Sequence, residues 1–458
     1  MYRGKTKLSL PNPKNVNFNS TGNFNLHCMR RLGVSTAIAL VIANMIGSGI
    51  YTSLGFQLGN MHSLFAVLML WVVGGIIAVC GALVYGELGG AFPNNGGEYN
   101  FLKELFSPFV GFLAGWVSSF VGFAAPVAAV SIALGLYLHS VFPVLPAVIT
   151  GLGVLMVITA LHAWHVMLGS KFQQVATIAN ICIIVFLIVA GFNTHATHTI
   201  DVSPSTEGWK EIFSSPYFVV NLYWVSYAYT GWNAASYIAG EIKDPAKKLP
   251  IALIAGTGIV TLVYVLLNWS FLHAAPADAM KNQAEVGFVA ASFMFGETGG
   301  RIMAIVISIS LVSTISAMTF AGPRVSACLK DEVPALSFLG KLNKNGAPTY
   351  AILTQSFIAA ILVLVNQFQI VIDLIGFTLT LSTSLTVFGI FILRKKYPAR
   401  KGAYTTWGYP FTPILFLAIN LWILYYGFTL KPFISLCGLG IIFIGGVVYW
   451  LGHKKTTT

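Results

Sequence analysis

The sequence predicts an all-α polytopic membrane protein, and both its composition and the length of its apolar segments support this fold class. Of the 458 residues, 56% are hydrophobic and only 9% are charged, whereas a soluble domain carries about 25% charged residues. The apolar segments are each about 20 residues long, the length that an α-helix needs to cross the hydrocarbon core of a bilayer. They do not show the short alternating pattern of a barrel strand. We therefore expect a bundle of helices embedded in a lipid bilayer.

Twelve apolar segments are candidate transmembrane helices, and we number them as spans one to twelve. They begin near Gly33, Ser63, Phe109, Val144, Phe172, Tyr217, Ile251, Arg301, Tyr350, Ile370, Phe411 and Ile434. Residues 1–32 precede the first span and lack the apolar stretch and small-residue cleavage site of a signal peptide. We interpret them as a cytosolic N-terminal tail, and residues 453–458 as a second cytosolic tail.

The placement of lysine and arginine predicts how the chain is oriented. If the N-terminus is cytosolic, all but four of the 26 basic residues fall on the cytosolic side; the exceptions are Lys210, Lys281, Arg301 and Lys431. Cytoplasmic loops retain positive charge, so we expect a multi-pass protein of the plasma (inner) membrane with both termini in the cytoplasm. The net charge of +12 is explained by this topology and by attraction to anionic lipid, and it requires no nucleic-acid partner.

The five cysteines show no metal-ligand spacing; they are Cys28, Cys80, Cys182, Cys328 and Cys437. In the predicted topology none of them lies in an outer loop. We therefore expect neither a structural disulfide nor a disulfide-linked partner subunit. The spans also lack paired catalytic carboxylates and metal-ligand clusters, so we expect neither an enzyme nor a cofactor.

Two of the spans are interrupted in their middle by glycine and polar residues. Span one contains the segment Ile46-Gly47-Ser48-Gly49-Ile50-Tyr51, and span six contains Tyr227-Ala228-Tyr229-Thr230-Gly231-Trp232-Asn233. Glycine in either place could serve close helix packing alone. A bilayer contains no water to satisfy loosened backbone, however, so a helix broken at this depth must line a polar cavity. Breaks in corresponding positions, five spans apart, are typical of transporters built from two inverted repeats.

Four longer strings of residues stand out in the sequence: IGSGIY, YGELGGAFPNNGGEYNFL, YAYTGWNAASYIAGEIKDPAKKLP and PRVSACLKDEVP. They resemble the amino acid–polyamine–organocation superfamily, and in particular its L-type amino acid transporter branch, which includes bacterial serine/threonine exchangers. The resemblance implies twelve transmembrane helices in a LeuT-like fold, a 5+5 inverted repeat with broken helices 1 and 6. Residues 33–193 would form the first repeat, residues 217–397 the second, and residues 410–452 the two helices outside the repeats.

The two breaks offer partners for both charged groups of an amino acid. Free N–H groups at an unwound helix end attract a carboxylate, and free carbonyl groups attract an ammonium. The resemblance implies that the backbone of Gly47, Ser48 and Gly49 holds the carboxylate, with help from the Ser48 hydroxyl. The ammonium would contact the carbonyls near Ala43, Asn44, Ile46, Tyr227, Ala228 and Tyr229, and Gly231 would complete the second break.

Three residues are predicted to form the gate over the substrate and to contact the substrate's side chain. Tyr227 matches the position at which the family places an aromatic gate over the substrate, although an aromatic side chain here could equally be packing. Ala125 in span three and Ser316 in span eight are the candidate contacts for the substrate side chain, and their surroundings are small and mildly polar.

The charge of the substrate follows from the residues at membrane depth. A cationic substrate would call for a buried carboxylate, because an unpaired charge in a dry site is costly. The sequence shows no such carboxylate at the midplane, and Asn233 stands where an arginine/agmatine-type relative has glutamate. Small or medium neutral L-amino acids, similar to alanine, serine or threonine, are therefore the expected substrates, moved by alternating access and by exchange.

Three positions bear on ion coupling. Asn180 replaces a lysine that many relatives carry in span five, which argues against lysine-based proton coupling. Ser313 and Thr314, with the carbonyls of Ala43 and Ile46, resemble the sodium site of sodium-coupled members of the wider fold. Alternatively, these hydroxyls bond to their own helix backbone. Sodium- or proton-coupled symport thus stands as an alternative to exchange, as does a cationic amino acid or polyamine substrate.

Overall fold

The computed structural model describes residues 32–164, 166–195, 200–365, 367–397 and 404–453. Within these ranges the chain is helical, apart from turns and one bridge between Leu32 and Ile242. The α-helices are α1 Val34–Met45, α2 Ser48–Asn60, α3 Leu64–Ala91, α4 Glu98–Leu105, α5 Pro108–Val117, α6 Ala125–Val141, α7 Ala147–Trp164, α8 Val166–Asn193, α9 Thr206–Ser214, α10 Pro216–Ala228, α11 Pro245–Ala274, α12 Ala277–Met280, α13 Val286–Cys328, α14 Thr349–Val365, α15 Phe368–Lys396, α16 Phe411–Leu430 and α17 Pro432–Gly452. A π-helical segment, Ser118–Ala124, joins α5 to α6, and 3-10 helices cover Ala234–Glu241, Leu329–Asp331 and Pro334–Gly340.

Nine helical segments of the described chain are long and apolar enough to cross a membrane. They are Val34–Asn60, Leu64–Ala91, Pro108–Val141, Ala147–Trp164, Pro245–Ala274, Val286–Asp331, Phe368–Lys396, Phe411–Leu430 and Pro432–Gly452. Two shorter apolar helices cover Thr177–Asn193 and Thr349–Val365. Length and composition therefore confirm an all-helical chain that crosses the membrane several times.

Both predicted helix breaks are present. Helix α1 ends at Met45 and α2 begins at Ser48, with Ile46 and Gly47 in extended conformations between them. Helix α10 ends at Ala228, and a turn leads into the 3-10 helix Ala234–Glu241. At the centre of this turn Gly231 has φ 99°, and a Cβ there would lie 2.6 Å from the Asn44 carbonyl group. Glycine is required both by the left-handed backbone and by the approach of the first break.

The breaks lie in the packed interior, between α3, α11 and α13. Small residues let these helices approach one another closely, as is usual in membrane bundles. Gly256 of α11 faces Val41 of α1, and a Cβ added to this glycine would lie 2.8 Å from the Val41 side chain. Three fully buried aromatic side chains, Trp71, Tyr229 and Tyr264, pack together beside the breaks.

One side of the bundle carries both described chain ends and α4, and we call it the terminal side. Leu32 donates its N–H to the Glu241 carbonyl at 3.1 Å, at the end of the second broken helix. His453 contacts the Glu332 carbonyl at 3.1 Å, and the Glu332 carboxylate pairs with Lys103 of α4 at 2.6 Å. These contacts tie the terminal side together across elements that are far apart in the sequence.

Candidate functional site

The two helix breaks meet directly. The Ser48 hydroxyl and the Tyr227 hydroxyl share a hydrogen bond of 2.5 Å, and both side chains are buried. A Cβ added to Gly49 would lie 2.5 Å from the Cα of Ala228, so only a glycine allows this approach without a shift of backbone. Residues from two segments about 180 positions apart in sequence therefore form one site.

The start of α2 offers free backbone donors at this meeting point. The first N–H groups of an α-helix have no intrahelical partner, and no side chain caps α2 at Gly47. Thr52 donates its hydroxyl to the Ser48 carbonyl, which anchors the first turn. Gly47, Ser48 and Gly49 thus present the positive end of a helix, an arrangement that binds carboxylate and phosphate groups.

Carbonyl groups of both breaks face the same region and accept hydrogen bonds from neighbouring hydroxyls. Tyr264 of α11 lies with its hydroxyl 2.5 Å from the Met45 carbonyl and 3.0 Å from the Ala228 carbonyl. The Tyr227 carbonyl accepts from the backbone N–H and the hydroxyl of Thr230. Each carbonyl oxygen has two lone pairs, so the Met45 and Ala228 carbonyls can accept a further donor, whereas Thr230 already supplies two donors to the Tyr227 carbonyl. Tyr264, which links the two breaks from a third helix, was not among the residues predicted from the sequence.

Tyr229 contributes differently from its neighbours. Its hydroxyl donates to the Trp71 carbonyl at 2.9 Å, and its ring packs edge-on against Tyr264 at a centroid distance of 5.1 Å. Its backbone carbonyl accepts from the N–H of Trp232 at 3.3 Å. The side chain of Tyr229 thus fastens the second break to α3, while its backbone belongs to the turn.

The candidate ion-coupling residues are buried, and one of them, Thr314, contacts the first break. The Thr314 hydroxyl donates to the Ile46 carbonyl at 2.7 Å and is 3.4 Å from the Ser310 carbonyl of its own helix. Its main bond therefore crosses to the first break instead of closing on its own backbone. Ala43 and Ser313 are also buried. Asn180 is buried in α8, which packs against α11 and α13.

A cavity of about 80 Å³ lies on the terminal side of the breaks. This space holds a few water molecules or part of a small solute. Asn44, Tyr229 and Gly231 line it from the breaks. The remaining lining residues are Gly74, Ile77, Ala78, Glu98, Gly122, Phe123, Ser226, Thr230, Trp232, Asn233, Ala234, Tyr237, Met318, Ile375, Gly376, Leu379, Thr380, Thr383, Phe416 and Asn420.

The two predicted side-chain contacts do not line this cavity. Ala125 is fully buried at the start of α6, and the Ser316 hydroxyl contacts the His162 ring at 2.8 Å. From the same two spans, Phe123 and Met318 reach the cavity instead. The π-helical segment Ser118–Ala124 precedes Ala125 directly, and Phe123 of that segment lines the cavity.

Glu98 is a buried carboxylate that the sequence analysis did not single out, and it lines the cavity. Its Oε1 accepts from the Tyr85 hydroxyl at 2.8 Å and from the Asn233 side-chain amide at 3.0 Å. Its Oε2 accepts from the Ser382 hydroxyl at 2.6 Å. Burial raises the pKa of Glu98, and these three hydrogen bonds only partly oppose the shift. In the string GGEYNFL, the sequence signal available for Glu98 was its place after two glycines, because an acidic residue in the first turn favours the start of a helix.

The described residues form neither a metal-ligand cluster nor a disulfide. The described residues contain no group of three or more His, Cys, Asp or Glu side chains placed to hold a metal ion. Cys80, Cys182, Cys328 and Cys437 are free thiols. Cys28 lies outside the described residues.

Comparison with known proteins adds to this geometry. Residues 32–449 match a family model described as amino acid permease. The chain is 30% identical over 437 residues to the serine/threonine exchanger SteT of Bacillus subtilis (strain 168), covering 93% of this chain and 97% of that protein. It is 27% identical over 438 residues to the Asc-type amino acid transporter 1 of Mus musculus, covering 92% and 81%. It is also 27% identical over 443 residues to the large neutral amino acids transporter small subunit 2 of Homo sapiens, covering 92% and 80%.

Proposed function

The chain belongs to the amino acid permease family of membrane transporters, and from this premise we propose that it exchanges small or medium neutral L-amino acids across the plasma membrane. The observation that carries this proposal is the meeting of the two helix breaks at Ser48 and Tyr227. Relatives named as a serine/threonine exchanger and as neutral amino acid transporters support the same substrate class.

The proposed binding mode uses backbone for both charged groups of the substrate. The carboxylate would bind the N–H groups at Gly47, Ser48 and Gly49, where the start of α2 has no side-chain cap. The ammonium would donate to carbonyls of the two breaks. These belong to Ala43, Asn44, Ile46, Tyr227, Ala228 and Tyr229. The substrate side chain would then extend past Gly231 into the cavity.

We propose twelve spans, with residues 33–193 and 217–397 as the two inverted repeats and residues 410–452 outside them. The broken helix from Pro216 to Glu241 would complete span six, with α10 as one half and the 3-10 helix as the other. The distribution of lysine and arginine supports a cytosolic terminal side. Alternating access would rock the elements that carry the breaks against the rest of the bundle.

Glu98 raises the question of a cationic substrate, since a carboxylate does line the cavity. Its two oxygens already accept three hydrogen bonds from protein groups. An ionised carboxylate has about four lone-pair sites, so these donors leave only one of them for a cationic side chain. The arrangement therefore favours a neutral substrate side chain.

Transport in proteoliposomes tests the proposal. Vesicles preloaded with unlabelled alanine or serine should take up labelled alanine or serine, and empty vesicles should not. Neither a sodium gradient nor a pH gradient should drive accumulation, because exchange needs only the counter-substrate. Sodium-driven uptake into empty vesicles would contradict exchange and would make Thr314 and the Ile46 carbonyl an ion site. Preferred uptake of labelled arginine would contradict the neutral substrate class.

Tyr227 is expected to act as the gate. The Tyr227→Ala variant should raise the apparent KM for serine about tenfold, because it removes both the buried ring and the hydroxyl that contacts Ser48. Tyr227→Phe and Ser48→Ala each lose one hydrogen bond, worth about 1 kcal/mol. Since both remove the same contact, the effects of these two changes should not add in the double variant. Fully additive effects would show that the Ser48–Tyr227 contact does not serve transport. Tyr425→Ala, at an exposed position of α16, is the control.

A further inference from the structure

Glu98 lies where three other elements of the bundle converge. It begins α4, and it receives hydrogen bonds from Tyr85 of α3, from Asn233 of the second break and from Ser382 of α15. The side chain is buried, yet it belongs to a short helix outside the membrane-spanning segments. One carboxylate thus holds four separate parts of the chain together at the terminal side of the cavity.

The same region closes the cavity through backbone contacts. Gly96 donates its N–H to the Tyr237 carbonyl at 3.0 Å, and Gly240 donates its N–H to the Asn95 side chain at 2.9 Å. The loop before α4 is therefore bonded to the 3-10 helix that follows the second break. An opening toward the terminal side has to separate these two segments, and the Asn233–Glu98 bond crosses the same boundary.

The chemistry of a carboxyl group makes this junction dependent on protonation. An ionised carboxylate only accepts hydrogen bonds, and each of the three neighbours donates one. Bonds to a charged acceptor are shorter and stronger than neutral ones. A protonated Glu98 has one O–H donor and fewer free lone pairs, so it cannot keep all three contacts at this strength.

Few groups compete for the proton. The titratable side chains facing Glu98 are Tyr85 from α3 and Tyr237 from the 3-10 helix, while α15 presents Ser382. Several charged residues of the neighbouring elements are paired with one another: Lys103 with Glu332, Glu87 with Arg394, and Glu241 with Arg324. Within the described part of the chain no ion pair includes Glu98, so its burial favours proton uptake closer to neutral pH than the ordinary carboxyl value of about 4.3.

We propose that Glu98 is a proton-binding site that controls closure of the cavity on the terminal side. The ionised form holds α3, the second break and α15 together, and the protonated form releases them. The biological role of this proton site rests on the proposed transport function, although opening of the cavity can be measured without transport. It concerns the rate of opening, so it is compatible with exchange that no pH gradient drives.

Cysteine accessibility tests this proposal in the full chain held in lipid nanodiscs. The five native cysteines are replaced by alanine, and Thr383→Cys places one thiol on the cavity lining. A separate Lys344→Cys variant, with its thiol at an exposed position, corrects for the pH dependence of the labelling reaction. Labelling of the Thr383→Cys variant relative to the Lys344→Cys variant should rise severalfold as pH falls from about 8 to about 5. An unchanged ratio would overturn the proposal.

Variants of Glu98 and of its partner locate the proton. Glu98→Gln should give high labelling at every pH, and Glu98→Asp should keep the pH dependence. Ser382→Ala removes a hydrogen bond that lowers the pKa of Glu98, so the midpoint should move to higher pH. A wild-type pH profile in both Glu98→Gln and Ser382→Ala would assign the proton to another group. If the chain with Glu98 intact shows no exchange but keeps its pH-dependent labelling, the proposed transport function is contradicted. The proposed proton site at Glu98 would still be supported.

Discussion

The Gly49→Ala variant is expected to lose at least about four-fifths of the exchange rate, because it forces the two helix breaks apart. The added Cβ would lie 2.5 Å from the Cα and 2.7 Å from the Cβ of Ala228. Neither atom can rotate away, so the backbone of one break must shift. Overpacking of this kind costs about 1–3 kcal/mol, and about 1.4 kcal/mol corresponds to a factor of ten in rate.

A glycine-to-alanine change at a position with free space is the control for Gly49→Ala. In α11, a Cβ added to Gly258 meets no atom within 4 Å. Gly258→Ala should therefore preserve exchange and gain a little helix stability. Both variants are compared by initial rates of serine exchange at equal reconstituted protein. Equal rates for the two would show that close approach of Gly49 to Ala228 is not needed for transport.

The Tyr264→Phe variant should also lose most of its exchange activity, since one hydroxyl serves a carbonyl from each break. Its removal leaves the Met45 and Ala228 carbonyls without this donor in a buried region. An unsatisfied buried acceptor costs about 1–3 kcal/mol, which corresponds to a roughly tenfold to hundredfold effect if it falls on the transport cycle. The Tm of the purified protein should fall as well, and substrate should restore part of it because its ammonium supplies new donors.

Tyr137→Phe is the control for the loss of a buried tyrosine hydroxyl. That hydroxyl donates to the Tyr51 carbonyl at 2.8 Å and accepts from the Gly287 N–H at 3.0 Å, so it serves neither the Met45 nor the Ala228 carbonyl. We expect a similar fall in Tm with exchange largely kept. If the two variants lose the same share of exchange, the role of Tyr264 is to stabilise the bundle and not to position the breaks.

The breaks themselves could be predicted from the sequence because local backbone chemistry defines them. Glycines beside hydroxyl residues in an apolar segment are visible in a short window, and the structure has both interruptions where this pattern lies. Tyr264 and Glu98 could not be predicted in this way. Tyr264 contacts a residue 219 positions away, and Glu98 contacts one 284 positions away. Only the assembled bundle brings these groups to the site.

Helix register bears on the predicted side-chain contact at Ala125. The side of a helix that faces a cavity depends on every turn before it, and the π-helical segment Ser118–Ala124 changes that register ahead of Ala125. The length of an apolar segment in the sequence does not reveal where its helix is broken, as in the predicted sixth span. Its two halves, α10 and a 3-10 helix, are each too short to cross a membrane, although the sequence reads as one apolar segment.

The shared hydroxyl of Tyr264 also bears on why an empty carrier would resist reorientation. A tyrosine has one hydroxyl hydrogen, and two carbonyls lie within its reach. This hydroxyl therefore donates fully to only one of the two carbonyls at any moment. A bound ammonium brings three hydrogens to the same place. In the proposed binding mode the loaded site would therefore be the better satisfied one, and each substrate that leaves would expose an acceptor that the next substrate satisfies most favourably.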